Sequence, residues 1–387
     1  MKRLCASLLV GSIALAAFCS TAVAETIKVG VIATFSGPNA IWGKQFQEAI
    51  QVYVAQHGKE VAGNTVEFVY KDVGGPNPDA SKAAAQELLI REGVKYLAGF
   101  DFTPNALAVA PLITQAKVPA VIFNSATSAI NKQSEFFVRT SFTLWQVTVP
   151  AAHWAASNGA KKIVTAVSDY NPGVDAENAF VSAFEEKGGT VVEKIRMPLQ
   201  TTDFAPFLQR IKSSGADTVF AFLPAGPATF AFTKAYNENG LKQAGINFIG
   251  TGETDESTLD ALGDQAIGLT TAQHYSAVHD SELNKAFRAK HAEMFPKSTL
   301  NPASVGAYDG VHLIYKLIEA AGTDGSEAIE AAKGLSWESP RGPVSIDPAS
   351  RHVIQNVYIR RVERDGSRLV NREFDVIESV PDLGFSR

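Results

Sequence analysis

The chain has 387 residues, 45% of them hydrophobic, with 35 Lys and Arg against 40 Asp and Glu and only two cysteines. That length exceeds what one hydrophobic core usually spans and calls for two lobes. The net charge of −5, with no basic block anywhere, excludes nucleic acid and anionic membrane as expected partners.

At the N-terminus, Lys2 and Arg3 precede an apolar run over 4–18, and Ala22-Val23-Ala24 offers the small-x-small pattern that a signal peptidase reads. Residues 1–24 are therefore expected to be a cleavable export signal, too short and wrongly flanked for a stable membrane span. Phe18 is a poor match to the small residue that lipid attachment at Cys19 would require. Both cysteines, Cys5 and Cys19, lie in this segment, so the exported chain has no thiol for a disulfide, a metal or a nucleophile. Without Lys2 and Arg3, 33 basic residues face 40 acidic ones, a net charge of −7. No later stretch is an unbroken apolar run of about 18 residues, the length that marks a spanning helix. A soluble, cysteine-free, two-lobed export product is expected in a periplasm or outside the wall.

Past the signal, one unit repeats. TIKVGVIATF (26–35), TVEFVYKD (65–72), VKYLAGF (94–100) and VPAVIFN (118–124) read as short buried strands rich in Val, Ile and Phe. Helical stretches over 42–56, 80–91 and 105–117 separate them, and this alternation predicts βαβ units around a parallel sheet covered on both faces. The pattern then restarts with KKIVTAVSD (161–169), TVVEKIRM (190–197), DTVFAFLP (217–224) and INFIGTG (246–252), with helices near 175–187, 204–214 and 228–239. The change of lobe falls near 140–145. Further on, 303–321 reads as a long helix and SWESPRGPVSIDP as irregular chain with a short strand. IQNVYIRRVERDGSRL reads as a strand, a turn at Asp365-Gly366 and a return. A tail that revisits both lobes would cross between them more than once, and several crossings make a hinge.

Open parallel sheets bind ligands beyond the carboxyl ends of their strands, where helix N-termini present free N–H groups. Those ends carry FSGPNAIWG, FDFTPN and NSATS in the first lobe, and SDYNPG, LPAGPA and GTGETD in the second. Ser125 and Thr127 thus sit where a small anion would be gripped, and each charge-assisted bond they donate is worth roughly 1.5–3 kcal/mol.

The order of these segments, from IKVGVIATFSGPNAIWGKQFQEAI through VPAVIFNSATS, FFVRTSFT, SDYNPGVDAENAFVSAFEEKGGTVV and NFIGTGETD to AYDGVHLI, resembles the periplasmic leucine/isoleucine/valine-binding proteins of ABC importers. The resemblance covers essentially the whole chain past the signal. It implies the type I periplasmic-binding-protein fold: α/β, with two doubly wound parallel-sheet lobes joined by a hinge of three crossovers. The lobes would comprise 25–142 with 275–350, and 143–274 with 351–387. Carried over by position, Thr103, Ser125, Ala126 and Thr127 would hold the ligand's α-carboxylate and Trp42 would flank its side chain. Tyr170 would close over the ligand, and Glu253 would take its ammonium. Three family features are missing. There are no disulfide cysteines, Pro224 and Ala225 stand where a second-lobe tyrosine is expected, and Ala303 falls near a pocket aromatic. The last two imply a pocket of different shape, which Phe100, Phe102 and Trp42 could line for a flat ligand. The implied function is capture of a small apolar carboxylate, either a branched-chain or hydrophobic amino acid or an aromatic acid, for delivery to a membrane permease. The receptor would work as a monomer, with no cofactor, metal or catalysis.

Plainer readings stand beside these. Ser125, Thr127 and Ser128 are also the residues that cap helices. Trp42, Phe100 and Phe102 fit a core, Tyr170 fits a packed turn, and Glu253 fits a solvated loop. Asp101 reads equally as a buried acceptor, a cap or a ligand contact. For an enzyme the sequence offers no G-x-G-x-x-G after a strand, no Walker loop, no G-x-S-x-G elbow and no H-E-x-x-H. A ligand-sensing regulatory subunit could keep the same fold, and the export signal argues against a cytoplasmic one.

Overall fold

A computed structural model describes residues 25–224 and 226–386, so the expected export signal lies outside the described residues. The first lobe opens with β1 (Thr26–Ala33), α1 (Ile41–His57), β2 (Glu60–Val61), β3 (Asn64–Asp72) and α2 (Pro78–Glu87), which runs on as a π-helical segment to Glu92. It continues with β4 (Tyr96–Gly99), α3 (Thr103–Ala116), β5 (Ala120–Ile122), α4 (Ile130–Gln133) and β6 (Phe137–Arg139). The sheet order is β2-β3-β1-β4-β5-β6, parallel apart from the β2–β3 edge pair. Local chemistry sets the boundaries. Asn77 caps α2 by accepting from Ala80 N ahead of Pro78, and α3 ends where Lys117 turns left-handed with φ 53°. The apolar spacing Trp42, Phe46, Ile50 and Tyr53 gives α1 one buried face.

The second lobe repeats the plan with α5 (Leu144–Ser157), β7 (Lys162–Ser168), α6 (Asn171–Glu186), β8 (Thr190–Met197), α7 (Ala205–Ser213) and β9 (Thr218–Phe222). It goes on with α8 (Pro227–Glu238), β10 (Asn247–Gly250), α9 (Glu256–Leu262) and β11 (Thr270–Gln273). The chain then returns to the first lobe for α10 (Glu282–Met294), α11 (Pro302–Ala321) and α12 (Gly325–Ala332). There α11 packs along α1, with Tyr315 Oη donating to Gly58 O and its ring 5.2 Å from that of Tyr53. Finally β12 (Ser336–Ser339), β13 (Gly342–Ile346), β14 (Val353–Asp365) and β15 (Arg368–Val380) extend the second sheet. Its order is β12-β13-β14-β11-β10-β9-β7-β8, with β15 also on β14. Strands β7 to β11 are mutually parallel, and β14 adds antiparallel to β11.

The architecture is the expected one, two α/β lobes with parallel-dominated sheets. One segment differs from expectation: 336–346, read as irregular with a short strand, forms the β12–β13 hairpin across Pro340-Arg341. Its prolines and charges read locally as loop, but pairing with the distant β14 decides its conformation, and Val344 and Ile346 bury their side chains in the first lobe's core. Helix α5 carries no amphipathic stripe because it is buried on nearly every face, and Pro150 lies inside it.

The crossings are tied to one another. Gln146 Nε2 donates to Val353 O and Val380 O, and Gln355 Nε2 donates to Ser141 O and Gln146 Oε1. Arg341, fully buried, lies 3.0 Å from Asp309 and donates to Thr140 O. Beyond β15 the chain end returns to this hinge. Asp382 Oδ1 accepts from Ser128 Oγ at 2.8 Å and Thr143 Oγ1 at 2.7 Å, and the Lys132 ammonium sits over the Phe385 ring.

Candidate functional site

In each lobe the helix that follows the first strand starts tight against that strand's end, and a glycine makes that possible. Gly43 N donates to Thr34 O at 2.9 Å, and a Cβ there would lie 2.3 Å from that oxygen. A Cβ at Gly173 would lie 1.8 Å from Ser168 O. These approaches hold Trp42 on one side of the cleft and Tyr170 and Pro172 on the other.

In the first lobe, Phe100 ends β4 with φ 62°, a left-handed conformation that costs a bulky residue about 1–3 kcal/mol. Ser125 holds this turn, donating to Phe100 O through both its N–H (2.9 Å) and its Oγ (2.7 Å). Asp101 joins the loops after three strands. Its carboxylate accepts from Thr34 N (2.8 Å) and Phe102 N (3.0 Å), and its carbonyl accepts from Asn124 Nδ2. Burial raises its carboxyl pKa to about 6. Thr103 Oγ1 donates to Thr127 Oγ1 at 3.1 Å.

In the second lobe, Glu253 plays the same joining part. Its carboxylate accepts from Leu223 N (2.8 Å) and Thr251 N (2.5 Å), and burial pushes its pKa up to about 7. Asp255 caps α9 through Ser257 N and accepts from Asn301 Nδ2 of the first lobe at 2.8 Å, across the cleft. A second bridge runs from Ser128 N to Asp175 Oδ2 at 3.2 Å, and burial raises Asp175 to about 6.

Between the lobes lies a cavity of about 650 Å³, its mouth included. Trp42, Phe102, Thr103, Ala126, Pro302 and Ala303 line it from the first lobe, and Tyr170, Pro172, Phe222, Pro224, Thr251 and Arg360 from the second. Phe142, at a crossover, Gln273, Asp101 and Asp255 also face it. Tyr170 stacks on Phe222, with centroids 6.3 Å apart and planes 16° from parallel, and Trp42 meets Phe102 edge-on at 6.5 Å. The first turns of α3, α6 and α11 border the cavity at Thr103, Pro172 and Ala303, so three partial positive charges converge on it.

Among the described residues that line the cavity, one is a buried cation. Arg360 donates from Nη1 to Tyr275 O and from Nη2 to Thr251 O and Thr271 Oγ1, with Glu256 Oε1 at 3.8 Å. Burial lowers the guanidinium pKa and raises that of Glu256.

Of the residues singled out from sequence, Trp42, Phe102, Thr103, Ala126, Tyr170 and Pro224 meet at this cavity. Ala225 lies outside the described residues. Three others need correction. The Phe100 ring does not line the cavity, because its left-handed backbone sends the side chain into the core against Phe137. Ser125 stands behind the wall, its hydroxyl engaged by Phe100 O. Glu253, expected to take an ammonium, is fully buried with its oxygens on two backbone N–H groups of its own lobe. Thr127 supports Thr103 from behind. The residues not foreseen include Phe142, Pro172, Phe222, Thr251, Gln273 and Arg360. Phe222 and Thr251 could have been found by the strand-end rule, since each closes or follows a parallel strand. Arg360 lies mid-strand in β14 and has no local signal.

The fold, the two-lobed cleft and its position at the strand ends define a class of binding protein. A family model described as periplasmic binding protein matches residues 26–367, and the chain belongs to that family, with the type I fold of its leucine/isoleucine/valine-binding members. Among particular relatives, the Leu/Ile/Val-binding protein homolog 6 of Brucella abortus (strain 2308) is 54% identical over 374 residues, covering 94% of this chain and 95% of that protein. The crystal structure of a solute-binding protein of an ABC transporter from R. palustris, in complex with 4-hydroxybenzoate, superposes with a TM-score of 0.90 at 54% identity, covering 93% of this chain and 99% of that one. A solute-binding protein from Rhodopseudomonas palustris BisB5, in complex with 3,4-dihydroxybenzoic acid, gives 0.89 at 45% identity, covering 93% and 99%.

Proposed function

We propose that this protein is the exported receptor of an ABC importer, closing its lobes on a small aromatic carboxylic acid of the hydroxybenzoate kind and presenting it to a membrane permease from the periplasm. The observation that carries this reading is the state of the acids. Asp101, Asp255 and Glu253 all have both oxygens engaged by protein donors, so each is already committed to holding the protein's own loops. An amino acid's ammonium would have to share an acid with those donors, whereas a buried ammonium is best stabilised by an acid devoted to it. An aromatic acid has no ammonium to satisfy. Its ring fits between Trp42 and Phe102 on one side and Tyr170 and Phe222 on the other, in the room left by Ala303. Its carboxylate suits the start of α3 at Thr103, beside the unpaired Trp42 Nε1. Relatives at 54% and 45% identity hold hydroxylated benzoates in the same fold, which supports the choice over a branched-chain amino acid.

In this reading the units that move are 25–142 with 275–350 and 143–274 with 351–387, and the ligand shifts them toward closure by its differential affinity for the closed form. Titration calorimetry tests the assignment. 4-Hydroxybenzoate is expected to bind with one-to-one stoichiometry and leucine to give no heat of binding. Leucine binding in the absence of any response to benzoates overturns it. The N-terminal residue of the protein recovered from a periplasmic extract is expected to be Glu25.

A further inference from the structure

Among the described residues that line the cavity, three buried side-chain atoms have no hydrogen-bond partner: Trp42 Nε1, Thr251 Oγ1 and Arg360 Nε. Trp42 is 8% exposed, Thr251 1% and Arg360 0%. Buried polar groups are rarely left unpaired, so atoms of this kind at a cavity wall mark where a ligand supplies the missing partner. They fall into two groups. Trp42 belongs to the first-lobe wall with Thr103 and the start of α3. Thr251 and Arg360 adjoin each other in the second lobe, where Arg360 Nη2 donates to Thr251 O at 3.3 Å.

We propose that Thr251 and Arg360 form a second-lobe subsite that reads a hydroxyl substituent on the ring, while the carboxylate rests on the first lobe at Thr103 and Trp42. This rests on the aromatic-acid reading above. The chemistry of the orphan atoms assigns the two ends. An indole N–H donates and cannot accept, which suits a carboxylate. The second-lobe pair combines a hydroxyl that can accept with a single guanidinium N–H that donates, and a phenolic O–H, which itself donates and accepts, satisfies both. Arg360 cannot offer a carboxylate the two-pronged fork that such groups favour, because its Nη1 and Nη2 are committed to Tyr275 O, Thr251 O and Thr271 Oγ1. Its charge is already answered by Glu256 at 3.8 Å.

Calorimetric affinities for benzoate and 4-hydroxybenzoate, measured on the unaltered protein and on Thr251→Val, Thr251→Ser and Trp42→Phe, test the assignment. Thr251→Val is expected to weaken 4-hydroxybenzoate about tenfold or more and to leave benzoate within about twofold, since a buried hydrogen-bonding group discriminates against the ligand that lacks its partner. Thr251→Ser, which keeps the hydroxyl, restores the preference and covers the case in which the valine variant fails to fold. Trp42→Phe weakens both ligands by a similar factor, because both carry the carboxylate. Equal losses for both ligands in Thr251→Val, or no loss for either, overturn the subsite. So does a loss confined to 4-hydroxybenzoate in Trp42→Phe, which would place the hydroxyl on the first lobe. If the unaltered protein binds neither acid, the aromatic-acid reading itself has failed and takes the subsite with it.

Discussion

Asp101 in the first lobe and Glu253 in the second are counterparts, each a buried carboxylate that draws together backbone N–H groups from the ends of neighbouring strands. Around these two knots the lobes differ. The first lobe commits its hydroxyls inward: Ser125 to Phe100 O and Thr103 to Thr127. The second leaves Thr251 Oγ1 and Arg360 Nε without partners at the cavity. Hydroxyls crowded at a strand end thus serve first to complete the backbone's own hydrogen bonding, and those that meet a ligand are the ones left over.

The contrast can be broken at four places. The largest effect is expected at Arg360, where Arg360→Met strands Glu256 and two backbone carbonyls in the interior. Urea unfolding should show a loss of about 3–5 kcal/mol, the range for removing one member of a buried charge pair. A loss under about 1 kcal/mol would mean that the guanidinium is solvated and not part of the wall.

The two knots come next. Asp101 near 6 and Glu253 near 7 both titrate above their ordinary values of 3.8 and 4.5, so the folded state holds protons that the unfolded chain has already released. Their contribution to stability is full below about pH 4 and declines as pH rises, through about 6 for Asp101 and about 7 for Glu253, by about 1–3 kcal/mol each. Stability measured in urea between pH 4.5 and 7 should therefore fall less steeply in Glu253→Gln than in the unaltered protein. An unchanged slope would place that titration elsewhere.

Ser125→Ala removes a second donor from the strained Phe100 turn, and about 1–2 kcal/mol of stability should go with it while ligand affinity changes little. A large affinity loss with full stability would return Ser125 to the ligand. The smallest effect is at Thr103→Val, which breaks the Thr103–Thr127 hydrogen bond that holds the start of α3. Calorimetry should show benzoate and 4-hydroxybenzoate weakened equally, about fivefold or roughly 1 kcal/mol. Unequal losses would move the carboxylate off the first lobe.

Much of this was readable in the sequence, for identifiable reasons. Short Val-rich and Ile-rich strands alternating with helices are enough to define parallel lobes, the strand-end rule led to the loops that carry Trp42, Thr103, Ala126 and Tyr170, and the family resemblance singled out those residues within them. Arg360 was not readable, since β14 reaches β11 by antiparallel addition from some 90 residues further on, as in Arg360 opposite Thr271. Gln273 closes β11, whose four residues TTAQ are too few and too polar to read as a buried strand. The inward turn of Glu253 was hidden for another reason. Its partners are the main-chain N–H groups of Leu223 and Thr251, and no side-chain pattern announces which N–H groups a sheet leaves open.

The packing of α11 along α1 has a consequence for how the molecule is made. The first lobe's sheet is complete by Arg139, yet the helix that covers α1 begins only at Pro302. A chain emerging from its N-terminus must hold the apolar face of Phe46, Ile50 and Tyr53 uncovered until more than half its length has followed. Closure over so large a sequence separation is slow and exposes sticky surface meanwhile. The lobe begun first therefore waits for a helix that follows most of the second lobe, and shielding by a chaperone matters most during that interval.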